Sequence, residues 1–427
     1  MRRAGTILAV VAFLECIAFG QDTLQLTLAA AHKLAIQNNP QLTASRYTAE
    51  AAAQVPGEIG SAFQPTLFGS VTGVGADSGS RLAAGALNNP VIYNRLGTGL
   101  SISQLVTDFG RTSSLVQSSK LRAQAQQQII EITRAQILLQ TDRAYFGVLR
   151  AQSVLKVAQQ TVTARQLVVD QVTALAQSLL KSQLDVSFAK VNLADAMLLL
   201  ASAQNDLSSR LADLATALGI PGQTYYTLAE EPMPDLLPDQ IMPFISEAIQ
   251  KRPELSDLRL EQQAAQRFEQ AERALAYPSI GLVGTAGFAP AAQQAIPGHF
   301  GAVGVNLNIP VLNGGLFKAR RSEAEFRTRA AVENVKDLEN RVVRDVRVAY
   351  LNAKTAYQRV GLTAQLLDQA QLALDLSQSR YDLGLSSIIE LSQAQLNLTG
   401  AQIASASARY DYQTQRSLLD YQVGVLR

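Results

Sequence analysis

The chain has 427 residues, 47% of them hydrophobic, enough to bury a sizeable core and, by length alone, to suggest two or three domains. Lys and Arg number 37 against 35 Asp and Glu, so there is no net field to attract nucleic acid or an anionic membrane surface. With Cys16 as its only cysteine the chain can form no internal disulfide, and stability has to come from packing.

Met1-Arg2-Arg3, the apolar stretch Ala4 to Leu14 and the small residues of Ala18-Phe19-Gly20 read as a secretory signal peptide over residues 1–20, with the mature chain expected to begin near Gln21. Lipidation of Cys16 is the alternative, and Phe13-Leu14-Glu15 fits it poorly. No later run of about 20 strongly apolar residues follows, so a bilayer crossing would have to use strands.

The remainder is written twice. Ala35-Ile36-Gln37-Asn38-Asn39-Pro40-Gln41-Leu42 matches Ala248-Ile249-Gln250-Lys251-Arg252-Pro253-Glu254-Leu255, and Gln64-Pro65-Thr66-Leu67 matches Tyr277-Pro278-Ser279-Ile280 at the same offset. Further on the offset shortens: Asp108-Phe109-Gly110 pairs with Asn313-Gly314-Gly315, Ala144-Tyr145 with Ala349-Tyr350, Asn192-Leu193 with Asn397-Leu398, and Gly219 with Gly424. The difference falls between two candidate strands, where a loop of variable length belongs. Each repeat, residues 21–220 and 244–427, is expected to hold a helix of roughly 30 residues, two strands, a helix of roughly 65, a break and a helix of roughly 35. Residues 221–243 carry Pro221, Pro232, Pro234, Pro238 and Pro243 and read as a linker.

In the long helix of the second repeat, Val346, Ala353, Val360, Leu367, Leu374 and Tyr381 recur every seventh residue, beside Val335, Val342, Ala349 and Ala356. The returning helix repeats the device with Leu391, Leu398, Ser405, Tyr412 and Leu419, beside Ala394, Ala401 and Ala408. A helix of about 65 residues spans on the order of 100 Å and cannot wrap a compact core, so it must run alongside partner helices in hairpins. The strand segments stand apart chemically: Ala62 to Ala76, Leu96 to Thr107 and Pro278 to Pro310 contain no Asp, Glu, Lys or Arg. Ile280, Leu282 and Phe288 share one parity, as do Val303, Val305, Leu307 and Ile309, and Leu100 and Ile102 alternate with Gly99, Ser101 and Ser103. Segments of about ten residues with period two fit a transmembrane β-barrel. Four strands cannot close one, and an open edge in lipid leaves backbone groups unpaired, so more copies of the chain are implied, with three supplying twelve strands.

The duplicated layout, Asn38-Asn39-Pro40-Gln41-Leu42, Arg252-Pro253-Glu254-Leu255, Asn313-Gly314-Gly315 after a strand, and Arg380-Tyr381-Asp382-Leu383-Gly384-Leu385-Ser386 ahead of Leu391 and Ala394 together resemble the TolC-like outer-membrane efflux proteins over nearly the whole mature length. The resemblance implies a mostly α fold with a membrane β-barrel: long coiled-coil hairpins forming a periplasmic α-barrel, and four strands per subunit contributing to a 12-stranded trimeric barrel. It implies an outer-membrane exit duct of a tripartite efflux or type I secretion system, a homotrimer working with a periplasmic adaptor (membrane fusion protein) and an inner-membrane pump of RND or ABC type.

Gly384 stands where the long outgoing helix must reverse, free to take positive φ. The first repeat offers Ser178-Leu179-Leu180-Lys181 there, without glycine, so the two tips of one subunit differ. By resemblance, Gly384, Leu385 and Ser386 are the adaptor-docking residues, with Leu180 and Lys181 as weaker ones. The periplasmic gate or selectivity group is Glu390, Tyr381, Gln393 and Asp185; Gln393 replaces a second acidic position and Ser386 an arginine of the family's closing network. Three Glu390 carboxylates around a three-fold axis would favour cations or widening.

His32 and His299 are the only histidines and lie in different elements, which suits structural or solvent-facing roles. No zinc-site spacing, Ser/His/Asp arrangement or GxxxxGK[ST] cradle is present, so neither catalysis nor a cofactor is expected. A periplasmic coiled-coil adaptor and a structural envelope protein are the alternatives; charge-free strands and a hairpin in both repeats favour the duct.

Overall fold

In a computed structural model the described residues are 25–75, 77, 95–222, 226–290 and 298–426. The signal peptide, Cys16 and the variable part of the loops between paired strands lie outside them. The first half runs β1 (Gln25–Leu26), α1 (Leu28–Asn38), α2 (Pro40–Gly60), β2 (Thr66–Val74), β3 (Arg95–Thr107), α3 (Arg111–Gln177) and α4 (Gln183–Ala217). After β4 (Thr227–Leu228) the second half runs α5 (Met242–Lys251), α6 (Pro253–Ala274), β5 (Ser279–Phe288), β6 (His299–Asn308), α7 (Leu316–Asp382) and α8 (Ile388–Val423).

The expected first helix of each half is two helices. Asn39 and Arg252 are extended (φ −73°, ψ 118° and φ −65°, ψ 122°), and Pro40 and Pro253 each start a new helix. A residue before proline is driven out of the α region, and proline itself is well placed at a helix's first position because it has no N–H to leave unpaired. Each break carries the same packing feature: Gly219, just past α4, lies against Asn38, and Gly424, just past α8, lies against Lys251 and Arg252. A Cβ would approach these backbones to 2.7 and 3.1 Å. Both glycines also have positive φ, 72° and 81°, so each ends its helix and admits the neighbouring break.

Apart from β4, the described residues of the proline-rich segment are mostly irregular, although Met242 and Pro243 already form the first turn of α5. Side chains of the long helices hold it: Tyr350 donates to the Pro238 carbonyl (2.7 Å), Tyr412 to that of Asp235 (2.7 Å), and Gln413 to that of Glu231 (3.0 Å). In the other half, β4 pairs in parallel with β1, and the Tyr145 hydroxyl lies between the carbonyls of Leu26 (2.8 Å) and Ala229 (2.6 Å). Burial pushes its pKa up to about 12, so it stays a donor. A non-helical strap thus has its carbonyls satisfied by tyrosines from the helices it crosses. His32 pairs with the buried Asp142, a structural role.

The long helices follow the heptads. Val346, Ala353 and Tyr381 on one line, Val335, Val342, Ala349 and Ala356 on the next, and Leu391, Leu398, Tyr412 and Leu419 on the returning helix are all buried. Helix α7 lies beside α8, α8 beside α3 and α3 beside α4; α4, and α7 beyond the part that packs on α5 and α6, are open flanks. Leu184, Val191, Met197 and Leu198 on α4, and Leu362, Leu366, Leu372 and Leu376 on α7, are exposed there. Contrary to expectation, α4 is long and apolar enough to cross a membrane by length and composition. One face of it packs on α3, and only 22% of that apolar window is buried, the rest lying on the open flank.

The four long strands form one antiparallel sheet in the order β2-β3-β5-β6. Its register sorts side chains by face: Leu67, Val71, Leu100, Ile102, Ile280, Leu282, Phe288, Val303, Val305 and Leu307 lie on one side. The other side carries mostly glycine and small polar residues, among them Thr66, Ser70, Thr72, Ser101, Ser103, Thr285, Asn306 and Asn308, with Phe68, Phe300, Leu105 and Val283 as larger apolar exceptions and Arg95 as the charged one. Among the described residues of these strands only Gly284 is buried, so no side chain of the sheet enters a core.

Candidate functional site

The helical ends farthest from the sheet bring together most of the residues singled out by sequence. Both hairpins reverse through a residue in the left-handed region, Leu179 (φ 59°) in the first and Gly384 (φ 71°) in the second. Only the glycine adopts this conformation without steric cost. Leu179, Leu180, Leu383 and Leu385 project from the two reversals; Leu179 is 93% and Leu385 66% exposed.

Each returning helix is capped by a serine. Ser182 accepts from the Asp185 amide (3.2 Å), and the Asp185 carboxylate accepts from the Ser182 amide (3.0 Å), a complete capping box. Ser387 accepts from the Glu390 amide (3.4 Å), but the Glu390 carboxylate turns away to Arg380 on the outgoing helix (3.1 Å). Arg380 also reaches the Leu385 carbonyl (3.4 Å). The two acids occupy equivalent places and do different work: Asp185 caps its own helix, and Glu390 ties the two arms of its hairpin together. Within the subunit, Arg380 thus sets a positive charge against the Glu390 carboxylate. Arg380 was missed in the sequence, although its place one residue before Tyr381 puts it directly across the turn from Glu390.

Tyr381 joins the two hairpins. Its side chain is buried with Val168, Val169, Val172 and Val186 of the first hairpin and Ile388 and Leu391 of its own. Lys181 from the opposite tip lies 4.0 Å from the centre of its ring, a cation–π contact. The Tyr381 hydroxyl is buried with no hydrogen-bond partner, and burial raises its pKa, aided by Asp185 and Asp382. The Ser386 hydroxyl is also buried without a partner. Gln393 bonds to Asn397 (3.0 Å) along its own helix, and nearby Asn192 of α4 donates to Ser392 of α8 (2.7 Å), a second tie between the hairpins. The structure thus brings together Tyr381, Lys181 and the Glu390 turn, and leaves Asp185 and Gln393 in local bonds. No group of acids, histidines or cysteines that could hold a metal occurs among the described residues.

Comparison with known proteins agrees with this architecture. The family model for "Outer membrane efflux protein" matches residues 31–220 and 244–424. Outer membrane protein TolC of Escherichia coli (strain K12) is 25% identical over 395 residues, covering 88% of this chain and 77% of the relative. Outer membrane efflux protein BepC of Brucella suis biovar 1 is 24% identical over 413 residues, covering 95% and 86%. Among solved structures, the fold is similar to that of CusC, with a TM-score of 0.80, 19% identity and coverage of 94% of this chain and 93% of the other. The two tandem family matches, with the long hairpins and the nearly charge-free sheet, identify the chain as a member of the outer membrane efflux protein family, the TolC-like channels that form an exit duct in the outer membrane.

Proposed function

We propose that three copies of the chain close head to tail into a passive conduit that serves a periplasmic adaptor and an inner-membrane pump of RND or ABC type, with no catalytic step of its own. The observation that carries this reading is the sheet. Four strands expose an apolar face, bury no side chain and end in two free edges, β2 and β6. A lone copy in lipid would leave a row of amides and carbonyls unpaired at each edge, at several kcal/mol per group. Joining β6 of one copy to β2 of the next pairs them all, and three copies supply twelve strands. The same closure sets the α4 flank of one copy against the α7 flank of its neighbour and covers the leucines exposed on both. The apolar face then meets lipid, and the face of small and hydroxyl side chains lines the lumen.

At the periplasmic end, Leu385 with Gly384 and Ser386, and Leu180 with Lys181, are the docking elements for the adaptor. The gate is the seam between hairpins, where Tyr381 and Lys181 hold the subunit closed, with Glu390, Asp185 and Gln393 shaping the returning helices. The two sequence repeats are the two hairpins of this wall, joined by the strap at residues 221–243.

Expression of the full chain in a Gram-negative host, extraction from outer membranes in mild detergent and native mass measurement test the assembly. A trimer that forms channels in planar bilayers is expected. A stable monomer that keeps its β-sheet signal in lipid would rule the conduit out.

A further inference from the structure

The lumen-facing side of the sheet holds a feature that a passive wall does not require. Ser70, Gly99, Gly287 and Phe300 form one cross-strand row, with Phe300 on the outermost strand. Its ring lies back along the wall over the two glycines: a Cβ placed on Gly287 would stand 2.6 Å from its Cζ, and one placed on Gly99 would stand 3.3 Å away. Phe300 remains 44% exposed, although this face is otherwise mostly small and polar. Around it opens a concavity of about 260 Å³, lined among others by the hydroxyls of Ser70, Thr72, Ser101 and Thr285, all exposed.

We propose that Phe300 and this hydroxyl rim form a binding platform on the lumen wall for uncharged molecules with a planar aromatic ring and hydrogen-bonding substituents. This inference rests on the assignment of that face to the lumen. A ring whose tip is seated over neighbours that lack side chains, and which stays partly exposed, is open to stacking at little entropic cost, because its position is already set. The hydroxyls serve as donors or acceptors alike and so suit neutral substituents. Charge plays no part at the platform itself, since the residues lining the concavity include no Asp, Glu, Lys or Arg; Arg95 stands on the same face at the start of β3. A charged cargo meets no counter-ion among the residues that line the concavity, whereas a flat neutral one meets a surface that slows it near the outer end of the duct.

The chain contains no tryptophan, so Phe300→Trp preserves a flat ring and makes it the only indole in the protein. Titrating the detergent-solubilised full-length variant with 4-nitrobenzyl alcohol, an uncharged planar quencher, is expected to give saturable quenching. Removing the rim in the same background with Ser101→Ala and Thr285→Val should weaken the apparent affinity about threefold or more. Linear quenching equal to that of free N-acetyltryptophanamide would overturn the platform. Should Phe300→Trp not assemble, saturation-transfer difference NMR of the same alcohol on the wild type and on Phe300→Leu replaces it; loss of signal in Phe300→Leu is expected, and an equal signal overturns the proposal. Bilayer conductance of the same preparations separates the two readings. Conducting channels with linear quenching sink the platform alone, and saturable quenching without conductance keeps the platform while sinking the duct.

Discussion

The two hairpin tips descend from one repeated pattern and solve the same reversal differently. At the second tip Gly384 takes the left-handed conformation freely, Ser387 caps the returning helix, and Glu390 is released from capping to bond Arg380. At the first, a leucine is held in that conformation and Asp185 is consumed by its own capping box. One tip is relaxed at the turn and braced between its arms; the other is strained at the turn and braced only at the start of the returning helix. The contrast teaches that a turn can follow the same left-handed backbone path without a glycine when the flanking helices are long enough to impose it, here at the exposed Leu179.

The largest expected effect comes from the shared cluster that holds the tips together. Leu391 and Val186 stand at equivalent positions, 1% and 3% exposed. Leu391→Ala should cost about 2–5 kcal/mol of local stability, and Val186→Ala about 1–2 kcal/mol from two methyl groups. Hydrogen exchange at residues 175–190 and 380–395 reads both. Equal effects, or exchange confined to one hairpin, would mean that the cluster does not couple the tips.

Of intermediate size is the turn itself, where the two tips should respond with opposite sign. Gly384→Ala places a side chain at φ 71° and should destabilise its tip by roughly 1–2 kcal/mol. Leu179→Gly relieves the same strain, offset by the roughly 0.5–1 kcal/mol that glycine's extra backbone freedom costs, leaving a gain of a few tenths to about 1 kcal/mol. The same exchange measurement reports both, and a loss of protection in Leu179→Gly would show that the leucine side chain stabilises the turn.

The smallest effect concerns the tyrosine. Because the Tyr381 hydroxyl has no partner, Tyr381→Phe should leave the closed conductance near wild type at neutral pH, whereas Tyr381→Leu, which removes the ring beneath Lys181, should raise it. The pKa of Tyr381 is raised in the folded chain, so its contribution is full below the ordinary tyrosine value of about 10 and is lost as pH climbs through the higher folded value. Alkaline opening in the wild type that disappears in Tyr381→Phe is the expected signature; identical alkaline profiles would place the titrating group elsewhere.

Much of this architecture is legible in the residue order. Heptad lines through Val346 and Leu391 announce buried seams because a helix brings every seventh residue back to the same side, and that geometry depends only on near neighbours. The near-absence of charge in the strands and the alternation of Val303, Val305 and Leu307 announce a sheet with a lipid-compatible face for the same local reason. The split at Arg252-Pro253 was equally readable from proline's effect on its predecessor, but the surrounding helical pattern obscured it.

Sequence alone determined the duplicated order of elements, the seams, the glycine reversal and the family, since each rests on spacing along the chain. Tertiary structure decided that β3 pairs with β5, that Glu390 reaches Arg380 while Asp185 turns inward, that Lys181 settles on Tyr381, and that Phe300 lies over two glycines. Those outcomes depend on groups distant along the chain, or across a turn, meeting within a few ångströms, where one methylene of reach or one missing Cβ decides the contact. No periodicity in the sequence records a distance of that kind.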